Sequence, residues 1–89
     1  MLSLPPTLTQ SQAQLCLDRL TQDMQQEADA QVVVNAAALS SFDSSALAVL
    51  LAVRRECARL GKRFSVQGLP DRLRDLAVLY GIDGLLTAA

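Results

Sequence analysis

Asp43-Ser44-Ser45 is the segment of this 89-residue chain with the most chemistry open to it. A carboxylate and two hydroxyls stand between the polar turn Ser40-Ser41-Phe42 and an apolar run that begins at Ala46, which is where a helix should start. One reading is capping, in which Asp or Ser accepts a hydrogen bond from a free N–H of the first turn. A second reading adds to it. A serine here faces unsatisfied N–H groups and the positive pole of the helix dipole, where a phosphoryl group is favoured. Many helices start with Ser, so the three residues alone do not separate the two.

Other chemistry falls away by residue type. The chain has no histidine, which removes His general bases, Ser-His-Asp triads and His metal sites together. Gly61-Lys62 lacks the glycine-rich lead and the following Ser or Thr of a phosphate loop. Asp71, Asp75 and Asp83 are scattered carboxylates that read as a solvated face rather than a metal site, and Arg72 and Arg74 read as exposed helix charges. Cys16 and Cys57 form no CxxC pattern and are expected to be buried apolar thiols. No catalytic residue, metal or cofactor is expected.

The elements around the segment alternate. Met1–Leu4 suits a short strand ended by Pro5-Pro6, which have no N–H to donate. A helix should begin near Thr9 or Ser11, with Ala13, Leu17, Leu20, Met24 and Ala28 on one stripe. Gln31-Val32-Val33-Val34-Asn35 reads as a strand covered on both faces, extending toward Leu39. A second helix should run from about Ser45 to Leu60 with Gly61 as its left-handed cap. Arg63–Leu69 reads as a third strand, and Pro70 opens a third helix carrying Leu73, Leu76, Ala77 and Tyr80. Gly81 can end it, and Ile82, Leu85 and Leu86 should fold the tail back. This order predicts an α/β domain with a small, mostly parallel sheet and helices packed on it.

The second helix has more apolar residues than one buried stripe needs. Ala46, Leu50, Val53, Cys57 and Leu60 suffice to dock it, yet Leu47, Ala48, Val49, Leu51 and Ala52 are apolar too. Either flanking helices cover that surplus, or an outer apolar face awaits a partner. The sequence leaves both open.

The totals set bounds. The length suits a single domain, 1–89. A net charge of −1 gives no electrostatic case for nucleic acid. Neither a signal peptide nor a membrane span is visible, so a cytoplasmic protein without direct membrane insertion is expected.

On Val32-Val33-Val34-Asn35, Phe42-Asp43-Ser44-Ser45-Ala46-Leu47 and Leu60-Gly61-Lys62, the chain resembles the STAS family, which includes anti-sigma factor antagonists such as SpoIIAA. The family signature is Asp-Ser/Thr-Ser/Ala-Gly-Leu opening a helix after a parallel strand; here Ala46 stands for the usual glycine. Val66-Gln67-Gly68-Leu69-Pro70 and Leu76-Ala77-Val78-Leu79-Tyr80-Gly81-Ile82 resemble the MlaB-like branch. The resemblance implies a SpoIIAA-like fold lacking the family's first strand, whose open sheet edge could pair two copies into a homodimer. It also implies a non-catalytic accessory subunit of a bacterial ABC transporter for phospholipid trafficking and outer-membrane lipid asymmetry. Such a subunit binds the MlaF-like ATPase, in complex with the permease, and so sits peripheral to the inner membrane. By the matched positions Ser44 centres that contact, with Asp43, Ser45 and the outer residues Leu47, Ala48 and Leu51 around it. The alternative the family offers is a partner-switching anti-sigma factor antagonist regulated by phosphorylation of Ser44.

Overall fold

Three successive valines make the central strand. Val32 and Val34 are buried, while Gln31, Val33 and Asn35 between them are half-exposed. The strand is therefore fully covered on one face and half-covered on the other, which corrects the expectation of burial on both. The structure, a computed structural model, describes residues 2–86. Its elements are β1 (Leu2–Ser3), β2 (Thr7–Leu8), α1 (Gln10–Gln26), β3 (Gln31–Asn35), β4 (Ser41–Phe42), α2 (Ser45–Arg59), β5 (Arg63–Gln67), α3 (Asp71–Leu79) and a 3-10 turn, Asp83–Leu85. Met1, the first residue of the expected opening strand, lies outside the described residues.

The architecture is α/β with parallel pairing throughout, as expected. One sheet has the order β1-β3-β5, with Leu2 opposite Val34 and with Val32, Val33 and Val34 opposite Phe64, Ser65 and Val66. A second, two-stranded sheet pairs β2 with β4, Thr7 opposite Ser41 and Leu8 opposite Phe42. Ser41-Phe42, which by composition belongs to a polar turn, is thus a strand. The prolines explain the arrangement: Pro5-Pro6 interrupts the first strand, and the Pro6 carbonyl accepts the Ser40 and Ser41 N–H groups at 2.8 and 3.1 Å, bringing the two short strands together.

The chain does not stay extended from Ala36 to Leu39. It turns there, with the Leu39 N–H donating to the Ala36 carbonyl at 3.1 Å, and Ala36 and Leu39 drop into the core. That core is one cluster built from both sheets and all three helices, including Leu8, Leu20, Met24, Val34, Leu50 and Leu73.

α1 begins at Thr9 through a capping box: the Gln12 side-chain carbonyl accepts the Thr9 N–H at 2.9 Å and the Thr9 hydroxyl at 2.6 Å. It buries Cys16, Leu20 and Met24, with Ala13 and Leu17 packed at the margin. Ala28, expected on that stripe, is exposed beyond the helix end. Lys62, after α2, sends its Nζ to the carbonyls of Glu27 and, at 2.9 Å, Asp29, so the ends of the first two helices are tied. Both cysteines are free and buried, and burial pushes both thiols up from their ordinary pKa.

Two glycines set turns. Gly61 takes φ +72° after α2, the left-handed conformation that lets the chain leave the helix. Gly68 has φ +68° and lies against the turn that follows β3: a Cβ added to it would sit 2.9 Å from the Ala37 Cβ. At the C-terminus Leu86 is buried and Ile82 packs on the core, whereas Tyr80 and Leu85 stay exposed. No helix of the described residues is long and apolar enough to cross a membrane.

Candidate functional site

Asp43 does the capping at the start of α2. Its Oδ1 accepts the Ser45 N–H at 2.8 Å, and its Oδ2 accepts the Gln10 N–H, the first residue of α1, at 3.1 Å. One carboxylate therefore serves two helix starts. The Ser45 N–H bond is the main reason its pKa lies below the ordinary carboxylate value; the Gln10 N–H and the Ser45 side chain add to that, and partial desolvation opposes it. The chain reaches this geometry because β4 pairs with β2 immediately before Asp43, which places it beside the residue where α1 begins.

Ser44 is left without that task. It is helical in backbone conformation, at φ −62° and ψ −15°, and its carbonyl accepts the Leu47 and Ala48 N–H groups. Its side chain makes no capping bond and is exposed. Ser45 is half-exposed and backs the Asp43 carboxylate.

The rotation of α2 decides which of its apolar residues face out. Ala46, Leu47, Val49, Leu50, Val53 and Cys57 are buried. Leu47, expected on the outer face, is 2 % exposed and belongs to the core. Ala48 is exposed, and Leu51 is half-buried against the core margin. Leu60, expected to dock the helix, is instead at the surface. So most of the surplus apolar surface is covered by the chain itself: Ala13, Gln14 and Leu17 of α1 lie alongside Ala48 and Val49. What remains outside is a narrow stripe, Ser44, Ala48, Leu51 and Arg55, at helical spacing.

A second surface borders this one. Phe42, two residues before Ser44, lines a cleft of about 420 Å³ with Arg72, Asp75, Leu76 and Leu79 of α3. The Arg72 guanidinium lies over the Phe42 ring, 5.4 Å from its centre. Val78, Leu79 and Tyr80 at the end of α3 are 57, 75 and 56 % exposed, more than any large apolar residue of α2. The motif at Asp43-Ser44-Ser45 does not extend to these residues. The signal was present in Val78-Leu79-Tyr80, three consecutive large apolar residues that one helical stripe cannot bury together.

Among the described residues no group of carboxylates or thiols could hold a metal ion. The geometry offers a capped helix start with a free hydroxyl and a surface suited to binding.

The protein-family model described as "Mlab, STAS domain" matches residues 1–87. A solved structure titled "Structure of the Anti-Sigma Factor Antagonist SpoIIAA in its Unphosphorylated Form" superposes with a TM-score of 0.75 at 20 % identity, covering 98 % of this chain and 76 % of that one. No curated protein sequence matches the chain. The SpoIIAA likeness establishes the fold, three helices on parallel strands. Proteins of this family are generally non-catalytic binding modules. With the family model spanning nearly its whole length, the chain belongs to the MlaB STAS domain family.

Proposed function

We propose that the protein is an accessory subunit that binds the cytoplasmic ATPase of an ABC transporter for phospholipid trafficking and supports its assembly, with Ser44 at the centre of the contact. The observation that carries this reading is the division of labour at the start of α2. Asp43 satisfies the helix end, so Ser44 is exposed and free to meet another surface. Ala48 and Leu51 follow it along the helix, and family membership supplies the class of partner, an MlaF-like ATPase held with its permease. In this role the protein works on the cytoplasmic side of the inner membrane and reaches the membrane only through its partner.

The test is co-purification. Ser44→Arg puts a long charged side chain in the middle of the contact without touching the core, so the variant stays folded by circular dichroism and is lost from the ATPase complex. Retention at full stoichiometry refutes the surface.

One observation favours a second reading, partner switching. The exposed Ser44 hydroxyl stands at the N-cap of α2, where a phosphate gains from the helix dipole and adds charge to a neutral contact. Stoichiometric phosphate on Ser44 in intact-mass spectra of protein from the native host supports it, and its absence under all growth conditions argues against it.

A further inference from the structure

The outer stripe of α2 changes character along its length. Its first two turns carry no charge, from Ser44 through Ala48 to Leu51 and Ala52; the next two present Arg54, Arg55 and Arg59 to solvent. Residues 54–63 hold five of the chain's eight basic side chains, with Glu56 the one acid among them. Two of the five already have an employment. Arg59 pairs with Glu56 one turn back and sits at the helix end, where the dipole favours a cation. Lys62 is bound to the carbonyls after α1. Arg54 and Arg55 have neither reason: both precede the last turn, and no hydrogen bond or ion pair among the described residues engages them.

Position fixes what they can do. Arg55 lies eleven residues from Ser44, three helical turns along the same line, so its Cα is about 16 Å further along the same face. Arg54 flanks it on the side of the helix away from Ala52. We infer that this face is a two-zone docking surface, neutral at Ser44 and cationic at Arg54 and Arg55, and that the partner brings carboxylates to the cationic zone. The inference rests on the reading that the outer face of α2 takes a protein partner, and adds what that partner must look like: an uncharged patch against Ser44 and Ala48, with an acidic patch about 16 Å away.

Charge selects an acidic protein over an anionic lipid surface. The molecule as a whole is slightly negative, at −1, and on α1 Gln14, which lies alongside Ala48, donates to the exposed Asp18 carboxylate at 3.0 Å. A lipid bilayer is broad enough to meet that carboxylate and the rest of a net-negative surface as well as the arginines, and would gain little. A localised acidic patch on a protein meets the arginines alone. Attraction of this kind mainly steers encounter, and salt weakens it.

The experiment measures association of the chain with the transporter ATPase of the same organism, for wild type, Ser44→Arg and the double variant Arg54→Glu/Arg55→Glu, across about 0.05–0.5 M salt. The double variant alters only exposed side chains, and circular dichroism confirms its fold. We expect the wild-type on-rate to fall with salt, and the double variant to associate about tenfold more slowly at low salt with a flattened or inverted salt response. If Ser44→Arg abolishes the complex while the double variant matches wild type at every salt concentration, the cationic zone is refuted and the Ser44 contact stands. If Ser44→Arg leaves the complex intact, or wild type forms none, the underlying reading fails and this inference with it. If the wild-type chain alone co-sediments with phosphatidylglycerol vesicles and the double variant does not, the arginines serve lipid and the inference is overturned.

Discussion

The starts of α1 and α2 both carry a hydroxyl residue at the N-cap, and the two hydroxyls do different work. Thr9 is closed in on itself: its N–H and its hydroxyl both go to Gln12, three residues on. Ser44 occupies the same position on α2, yet its side chain caps nothing, because Asp43 reaches past it to the Ser45 N–H. The same carboxylate reaches the first N–H of α1. A helix start that uses its own hydroxyl spends it on stability. One that borrows a neighbour's carboxylate keeps the hydroxyl for something else. The difference separates a structural serine or threonine from an available one, which residue type cannot do.

Substitutions at the three residues test that contrast. Asp43→Ala should give the largest loss of stability, because both helix starts lose an acceptor, and its Tm should fall below that of either hydroxyl variant. The same carboxylate sets an acid dependence. Its folded pKa lies below the unfolded value near 4, so its contribution is complete above about pH 4 and is lost as pH falls through the folded pKa. Asp43→Asn should therefore flatten the stability profile in that acid range and leave its shape near neutrality unchanged. Thr9→Ala comes next, at about 1 kcal/mol, or roughly 4–8 °C in Tm for a domain of this size. Ser44→Ala should be the smallest, within about 0.5 kcal/mol in chemical denaturation. If Ser44→Ala costs as much as Thr9→Ala, the division of labour is wrong and Ser44 is a cap after all.

Much of the fold was legible, for reasons that can be named. The valines of β3, the glycine after α2 and the Pro70 start of α3 are local signals, and the structure has each in place. The pairing of β2 with β4 was not legible, since two-residue strands carry no periodicity and these are joined through the Ser40 and Ser41 N–H groups donating to the Pro6 carbonyl. The overlong strand at Ala36–Leu39 failed because small apolar residues fit a buried turn as well as a strand.

At the site, Asp43-Ser44-Ser45 could be found by composition, but that the Asp43 carboxylate also serves the start of α1 depends on Gln10, thirty-three residues away in sequence. Leu47 was misplaced for a related reason. A helix turn that is apolar on all sides gives no direction for its buried face, and here α1 and the core decide it. The end of α3 shows the converse: Tyr80, expected on the same stripe as Leu73 and Ala77, faces solvent together with Val78 and Leu79.

The close approach of Gly68 to Ala37 gives one position in this small chain an outsized say over evolution. A side chain there meets two objections at once, a left-handed backbone and a neighbour 2.9 Å from the new carbon, while Gly84 faces neither. The turn it presses on leads through Leu39 into β4 and Asp43. A population of variants selected for folding alone should keep glycine at 68 while freely exploring 84, and a descendant that changed 68 would first have to reshape the loop that presents Ser44.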